Sequence, residues 1–397
     1  MKVALVFDGL QVGGVERVGA DYAKLFINLG HDVTIINLNP KLQDMNKEFP
    51  KECDFINFTY PRKLAPEQYA KLVRGNLAMK FLYPIMALIL GLLNIIYKFY
   101  ARLVIRKKVD LLIAFSGHFN DLSFVRYGYI SHKKKLAWLH GALYSYLLIS
   151  DGYINLYKKI KNLIVLVDDA QEEVLAYNKK LKLNIYKLYN PTNISQKNID
   201  TARINEIKED FGSFIVMVSR FSYPHKDHYT VANAFKKLVD KYNVDANLLF
   251  IGDGPEESKV KAYVKEFDGK ISDRIYFLGK KDDVQNYYNA ATLLVHASVA
   301  GEGLPTIMLE ALAYDLPMVV TDSKTGPREI LGNDEFGLLC KVQDPDDMAE
   351  KIYKLMNDVN LYNYYKKNSK VRLKDFEPEV IQDKLNLIVN ELMNGEI

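Results

Sequence analysis

Short apolar runs alternate along the chain with stretches in which apolar positions recur every three or four residues. In the first half the runs are VALVF (3–7), DVTIINL (32–38), FINFTY (55–60), DLLIAFS (110–116), LAWLH (136–140), LIVLV (163–167) and IYKLY (185–189). In the second half they are FIVMVS (214–219), NLLFIG (247–252), RIYFLG (274–279), TLLVHA (292–297) and PMVVTD (317–322). Runs this apolar suit strands buried on both faces, as in parallel sheets covered by helices. Their alternation with helical segments predicts an α/β protein of two doubly wound, Rossmann-like domains. The polar stretch NPTNISQKNID (190–200) reads as the joint, which gives domains over 1–195 and 200–375. FEPEVIQDKLNLIVNEL (376–392) reads as a final amphipathic helix, with 376–397 crossing back to the first domain.

One stretch breaks the alternation. FLYPIMALILGLLNIIY, Phe81 to Tyr97, is 17 residues without a charge. Lys80 precedes it, and Lys98, Arg102, Arg106, Lys107 and Lys108 follow. A spanning helix needs about 20 apolar residues, with about 17 as the lower limit. Three readings stand: a core helix packed on the sheet, a single span, and a helix seated in the membrane interface. The basic flank favours the last, with 81–108 meeting an anionic membrane surface.

Composition narrows the class. The chain has 397 residues, 49% hydrophobic and 26% charged, as in a folded protein of about two domains. Cys53 and Cys340 stand far apart, in no metal-ligand spacing, which argues against a disulfide scaffold or a zinc site and fits a reducing cytoplasm. MKVALVFDG is too short in apolar residues for a signal-peptide core and reads as a first buried strand. Residues 1–200 carry 28 Lys+Arg against 17 Asp+Glu, and residues 201–397 carry 25 against 32. The halves therefore suit different partners, and the basic one suits an anionic surface. It has no nucleic-acid reading module.

The chemistry gathers around EGLPTIMLE, Glu302 to Glu310. Pro305 suits the first position of a helix running to about Tyr314. The backbone N–H groups of Gly303, Leu304 and Thr306 then lack intrahelical partners and make an anion site, favoured by the helix dipole. An ionised carboxylate only accepts hydrogen bonds, so Glu302 and Glu310 suit hydroxyls. Glu310 would lie roughly 7–8 Å along the axis. Hydroxyl, phosphate and hydroxyl in a row describe a nucleotide sugar. Arg220 and Lys226, in VMVSRFSYPHKD, follow a strand's C-terminal end, where ligands of open α/β sheets sit. Their cations suit a diphosphate whose charge grows as it leaves. In the first half Gly13 and Gly14 precede a helix, where a ligand can approach backbone closely. Neither this loop nor IGDGPEE (251–257) fits GxGxxG, and the latter reads as a strand-to-helix turn. His140 ends one predicted strand and His118 follows another, and both are further candidates.

EGLPTIMLEALAYDLPMVVTDSKTGPREIL resembles the signature of family 4 glycosyltransferases, which have the two-lobed GT-B fold. GGVERV, the SR…K segment, IGDGP and TD…GPREIL match that family in the same order, over nearly the whole chain. The ending is similar to bacterial transferases of capsule, exopolysaccharide or lipid-linked oligosaccharide. The resemblance implies that Glu310 binds the ribose, that Arg220 and Lys226 hold the diphosphate, and that Glu302 touches the transferred sugar. It implies that Gly13 and Gly14 close over the phosphates, that His140 lies near the reacting centre, and that the reaction retains configuration without a metal or other cofactor. Three features depart from the family: five residues separate Arg220 from Lys226, Asp227 stands where glycine is common, and Asp315 replaces a usual glycine.

The expected protein is a glycosyltransferase moving a hexose or N-acetylhexosamine from a UDP-sugar to a lipid-linked or glycan acceptor, peripheral on the cytoplasmic face of the plasma membrane. The acceptor would dock on the basic first lobe. Competing readings are a non-hydrolysing sugar-nucleotide epimerase, which needs no apolar helix, and an inactive sugar-nucleotide-binding scaffold.

Overall fold

The computed structural model describes residues 1–141, 143–177, 182–192, 198–324 and 326–395. Two compact units divide the chain: Met1–Pro191 with Pro378–Ile397, and Thr192–Glu377. Each contains one wholly parallel sheet.

In the first unit the strands are β1 (Lys2–Phe7), β2 (Asp32–Asn37), β3 (Asp54–Asn57), β4 (Lys108–Ala114), β5 (Ser131–Leu139), β6 (Asn162–Val165) and β7 (Asn184–Lys187). Their order is β3-β2-β1-β4-β5-β6-β7. Residues Val3 to Phe7 are wholly buried, as a central strand covered on both faces must be. Tyr22 packs on Trp138 with ring centroids 4.5 Å apart, and its hydroxyl donates to the Tyr189 carbonyl at 2.6 Å. The closing helix, Pro378–Asn394, is part of this unit and buries Ile381, Leu385 and Val389.

The second unit has β8 (Phe214–Val218), β9 (Asn247–Ile251), β10 (Ile275–Phe277), β11 (Leu293–His296), β12 (Met318–Thr321) and β13 (Leu338–Cys340), in the order β10-β9-β8-β11-β12-β13. Its core includes Met217, Phe235, Phe250, Leu293 and Val295. All twelve predicted strands are present. β13, with only three residues, was not predicted: so short a run, LLC, gives no pattern to read.

Strand order turns back twice. In each sheet the order descends to one strand and then jumps, at β1/β4 and at β8/β11. Loops leaving the C-terminal ends of such a pair diverge to opposite faces and leave a crevice for ligand.

The apolar stretch forms a 29-residue helix, Leu77–Ile105, roughly 43 Å long. The core-helix reading is overturned: Phe81, Ile85, Leu88, Leu92, Ile96 and Phe99 are all exposed. One face nonetheless docks on the first unit. Asn94 is fully buried in the uncharged stretch of this helix because its amide donates to the carbonyls of Leu64 (2.7 Å) and Leu90 (2.8 Å). Its carbonyl oxygen accepts from the hydroxyls of Tyr129 (2.8 Å) and Tyr60 (3.3 Å). Tyr83 and Tyr97 add hydroxyl bonds to the Pro66 and Thr59 carbonyls, and Arg102 grips the Gly128 carbonyl. Positions 83, 94, 97 and 101 share this face at helical spacing.

Candidate active site

In the second unit the site is built at the C-terminal ends of β8 and β11. After β8 the backbone continues through Ser219 and Arg220. It is pinned against the turn following β9: Ser219 donates to the Ile251 carbonyl and Phe221 to the Asp253 carbonyl, each at 2.9 Å. Gly252, at φ +136°, permits this approach, since a Cβ there would collide with the Ser219 carbonyl. IGDGPEE is therefore a turn that shapes the Arg220 loop, and not a dinucleotide fingerprint. Arg220 is exposed and makes no hydrogen bond or ion pair among the described residues.

Lys226 arrives by a turn closed by its own N–H on the Ser222 carbonyl at 2.9 Å. Asp227, one of the departures from the family pattern, caps the next helix, His228–Tyr242. It accepts the Thr230 N–H at 3.1 Å and the Thr230 hydroxyl at 2.6 Å. Its own N–H donates to the Ala297 carbonyl at 2.8 Å, and Val299 donates back to the Pro224 carbonyl at 3.0 Å. These bonds lay the 222–227 loop against the segment leaving β11.

Three charged or polar side chains meet there. Lys226 ion-pairs with Glu302 Oε1, and His296 Nε2 lies 3.0 Å from Glu302 Oε2. His296 is wholly buried. Burial lowers its pKa, against the pull of Glu302. Burial also pushes the Glu302 carboxyl up, but the His296 hydrogen bond and the Lys226 charge outweigh it and hold it below the usual value. The pair is thus a neutral Nε2–H imidazole donating to an ionised carboxylate. Among the described residues the His296 Nδ1 has no hydrogen-bond partner. The sequence reading assigned Lys226 to the diphosphate and Glu302 to the sugar as separate tasks; the fold joins them.

The helix begins one residue later than predicted. Pro305, at ψ 111°, is the N-cap, and Thr306–Ala313 is helical. An extended N-cap lets the Pro305 carbonyl accept from Met308 at 3.1 Å, so proline does not need to enter the helix. Gly303, Leu304 and Thr306 stand at this tip as expected. The tip is held by the segment after β12: Gly326 donates to the Glu302 carbonyl at 3.0 Å. Any Cβ at 326 would collide with the Gly303 carbonyl, which explains the glycine of GPREIL. Arg328 in turn bonds Asp322 through Nε at 3.0 Å. Glu310, the fifth residue of the helix, accepts the Tyr288 hydroxyl at 2.7 Å. Tyr288 is buried, and that burial, with the Glu310 charge, raises its pKa strongly. Asp315 adopts φ +52°, the left-handed turn that the family's glycine would take.

In the first unit the crevice end of β1/β4 holds a second polar group. Asp8, just past β1, receives Asn120 Nδ2 at 2.8 Å and Arg62 at 3.1 Å on Oδ1. His118 Nδ1 lies 3.5 Å from Asp8 Oδ2. The Asp8 hydrogen bond raises the His118 pKa despite burial. His118 also caps the helix Phe119–Tyr127, whose Asp121 accepts the Gly117 and His118 N–H groups at 2.9 and 2.7 Å. Burial lifts Asp121 to about 7. Gly13 is the N-cap of the helix Gly14–Asn28. A Cβ at 13 would meet the Glu16 carboxylate, whereas at 14 there is open space. Burial raises the Glu16 pKa. His140 follows β5 and has its Nε2 2.6 Å from the Phe115 carbonyl, which fixes Nε2 as the donor and leaves Nδ1 as an acceptor. Burial lowers its pKa to about 4, so it is neutral at pH 7.

The sequence reading missed His296, Tyr288, Asp8 and Glu16. His296 and Asp8 carried a signal: each is the first polar residue ending an apolar strand. Glu16 lay within GGVERV. Tyr288 carried none, because a buried tyrosine in a helix reads as core. Among the described residues, no group of three or more His, Cys, Asp or Glu could hold a metal ion.

Comparison with known proteins agrees with this architecture. Residues 198–372 match the family described as glycosyl transferases group 1. The chain is 28% identical over 206 residues to an N-acetylgalactosaminyltransferase of Campylobacter jejuni, which acts on N-acetylgalactosamine-N,N'-diacetylbacillosaminyl-diphospho-undecaprenol; the match covers 52% of this chain and 53% of that one. It is 23% identical to the amylovoran biosynthesis glycosyltransferase AmsD of Erwinia amylovora, covering 98% and 99% of the two chains. Among solved structures, Anabaena Alr3699/HepE in complex with UDP and glucose superposes with a TM-score of 0.69 at 16% identity, covering 99% of this chain and 100% of that one. The two parallel α/β sheets are those of the GT-B fold.

Proposed function

From the premise that this chain is a GT-B glycosyltransferase of polysaccharide or lipid-linked glycan synthesis, we propose that it transfers a hexose or N-acetylhexosamine from a UDP-sugar with retention of configuration. The acceptor is a lipid-linked or glycan hydroxyl. The observation that carries this reading is the arrangement Lys226–Glu302–His296 directly ahead of a helix tip whose fifth residue is Glu310, with Arg220 exposed at the adjoining strand end.

In this reading Glu310, oriented by Tyr288, accepts the ribose hydroxyls. Arg220 and the N–H groups of Gly303, Leu304 and Thr306 face the diphosphate, and Lys226 adds charge as the diphosphate leaves. Glu302, held ionised by Lys226 and His296, accepts hydroxyls of the transferred sugar. Such cations and dipoles supply what a metal would, so transfer proceeds in EDTA. The acceptor engages the first unit, where Asp8 and the His140 Nδ1 lone pair accept hydroxyl protons. UDP in the Anabaena complex and the undecaprenol-linked acceptor of the Campylobacter relative support this choice of substrates. The outward apolar face of Leu77–Ile105 with its basic end supports a peripheral seat on the anionic inner leaflet of the plasma membrane.

The test is a panel of nucleotide sugars incubated with the protein in EDTA and followed by mass spectrometry for slow donor hydrolysis. One UDP-hexose or UDP-N-acetylhexosamine should release UDP, and the freed sugar should first appear in the donor's own anomeric form. Release from no UDP-sugar, or release of the opposite anomer, would refute the proposal.

A further inference from the structure

We propose that the first unit carries a binding site for phosphate-bearing anions at the edge of its sheet opposite Asp8, His118 and His140. A pocket of about 370 Å³ opens where β5, β6 and β7 begin. Its wall includes Lys134 and Lys135 at the start of β5, Lys159 and Lys161 at the turn into β6, and Tyr186 of β7. β5 is nine residues long, so roughly 30 Å of strand separates this edge from the other. A ligand here takes no part in transfer.

Lysines 133, 134, 135, 159 and 161 line one pocket, against Glu391 as the acid among its lining residues. Lys133 is matched by Asp110 at 2.7 Å, and Lys135 donates to the Arg126 carbonyl at 2.7 Å. Lys134, Lys159 and Lys161 have no ion pair among the described residues. Like charges crowd at a cost, and a bound anion removes it. The pocket also holds an unused donor. The Tyr186 hydroxyl is buried and has no hydrogen-bond partner among the described residues. A phosphate oxygen would accept from Tyr186 while the lysines neutralise its charge.

The pocket adjoins the basic end of the long apolar helix. His132, which lines it, packs on Gly128, whose carbonyl Arg102 grips at 2.9 Å. The anion can therefore come from a phospholipid headgroup as well as from solution, and the two sources share one chemistry.

The experiment titrates the full-length protein with inorganic pyrophosphate by calorimetry, at ionic strength held constant with chloride. The Arg220→Ala background removes competition from the donor site. In that background a Lys134→Gln/Lys159→Gln/Lys161→Gln variant should bind roughly fivefold more weakly for each lysine lost, while the same three substitutions with Arg220 intact leave donor hydrolysis normal. Lys159→Gln alone, on an exposed side chain, keeps the test readable should the triple variant fail to fold. A second arm measures pelleting with phosphatidylcholine vesicles with and without phosphatidylglycerol. Loss of pelleting with the anionic vesicles in the variant assigns the anion to lipid, and unchanged pelleting with weakened pyrophosphate binding assigns it to solution. Pyrophosphate affinity and pelleting both equal to the parent protein would overturn the site. Failure of Arg220→Ala to alter UDP binding would count against the donor assignment alone.

Discussion

Replacing Tyr288 by phenylalanine removes one oxygen and little else. The ring is buried and lies 5.7 Å from Tyr314, so its packing survives. What disappears is the 2.7 Å hydrogen bond to Glu310. A hydrogen bond to a charged group contributes about 1.5–3 kcal/mol. Glu310 is only half-buried, so water replaces part of that, and about 1 kcal/mol of orientation is lost. At 1.4 kcal/mol per factor of ten, UDP should bind about fivefold more weakly. The effect must act through the ribose. Calorimetry of both proteins with UDP and with 2′,3′-dideoxy-UDP forms a cycle that isolates it. Parent and Tyr288→Phe should differ on UDP and agree on the dideoxy analogue. An equal loss on both ligands, or none on either, would show that Glu310 does not hold the ribose.

Three further outcomes are expected. Glu302→Gln should lower kcat about a hundredfold while UDP affinity, measured separately, barely moves, if Glu302 acts on the transferred sugar as proposed; a parallel loss of UDP binding would contradict that placement. His140 sits at about 4 when folded against 6.5 when unfolded, so its contribution is fully present above 6.5 and is lost as pH falls toward 4. Urea unfolding should show wild type losing up to about 3 kcal/mol more than His140→Gln across that window, and identical slopes would refute the burial argument. Asn94→Leu should cost about 2–4 kcal/mol in the same assay, since it strands the Tyr60 and Tyr129 hydroxyls and the Leu64 carbonyl; a change below about 0.5 kcal/mol would mean the helix is not held there.

Asp227 and Asp315 illustrate how a local exception is resolved by tertiary context. Read along the chain, each looks like damage to a glycine turn. In the fold Asp227 is a helix cap with two bonds to Thr230, and Asp315 tolerates φ +52°. Short polar side chains are the ones that can do either.

Sequence alone determined the strands other than β13, because a strand buried on both faces must be apolar along its length, and that constraint is local. It also determined that a helix starts within 303–306 and that 81–97 is apolar. Tertiary structure decided what sequence spacing cannot carry. Strand order placed the ends of β8 and β11 side by side, which brought Lys226 and His296 onto Glu302. It also decided that Asn94, four hydrogen bonds deep, turns one face of an apolar helix inward and leaves the other out. A buried polar group must find partners, and partners from distant segments exist only once the chain has folded.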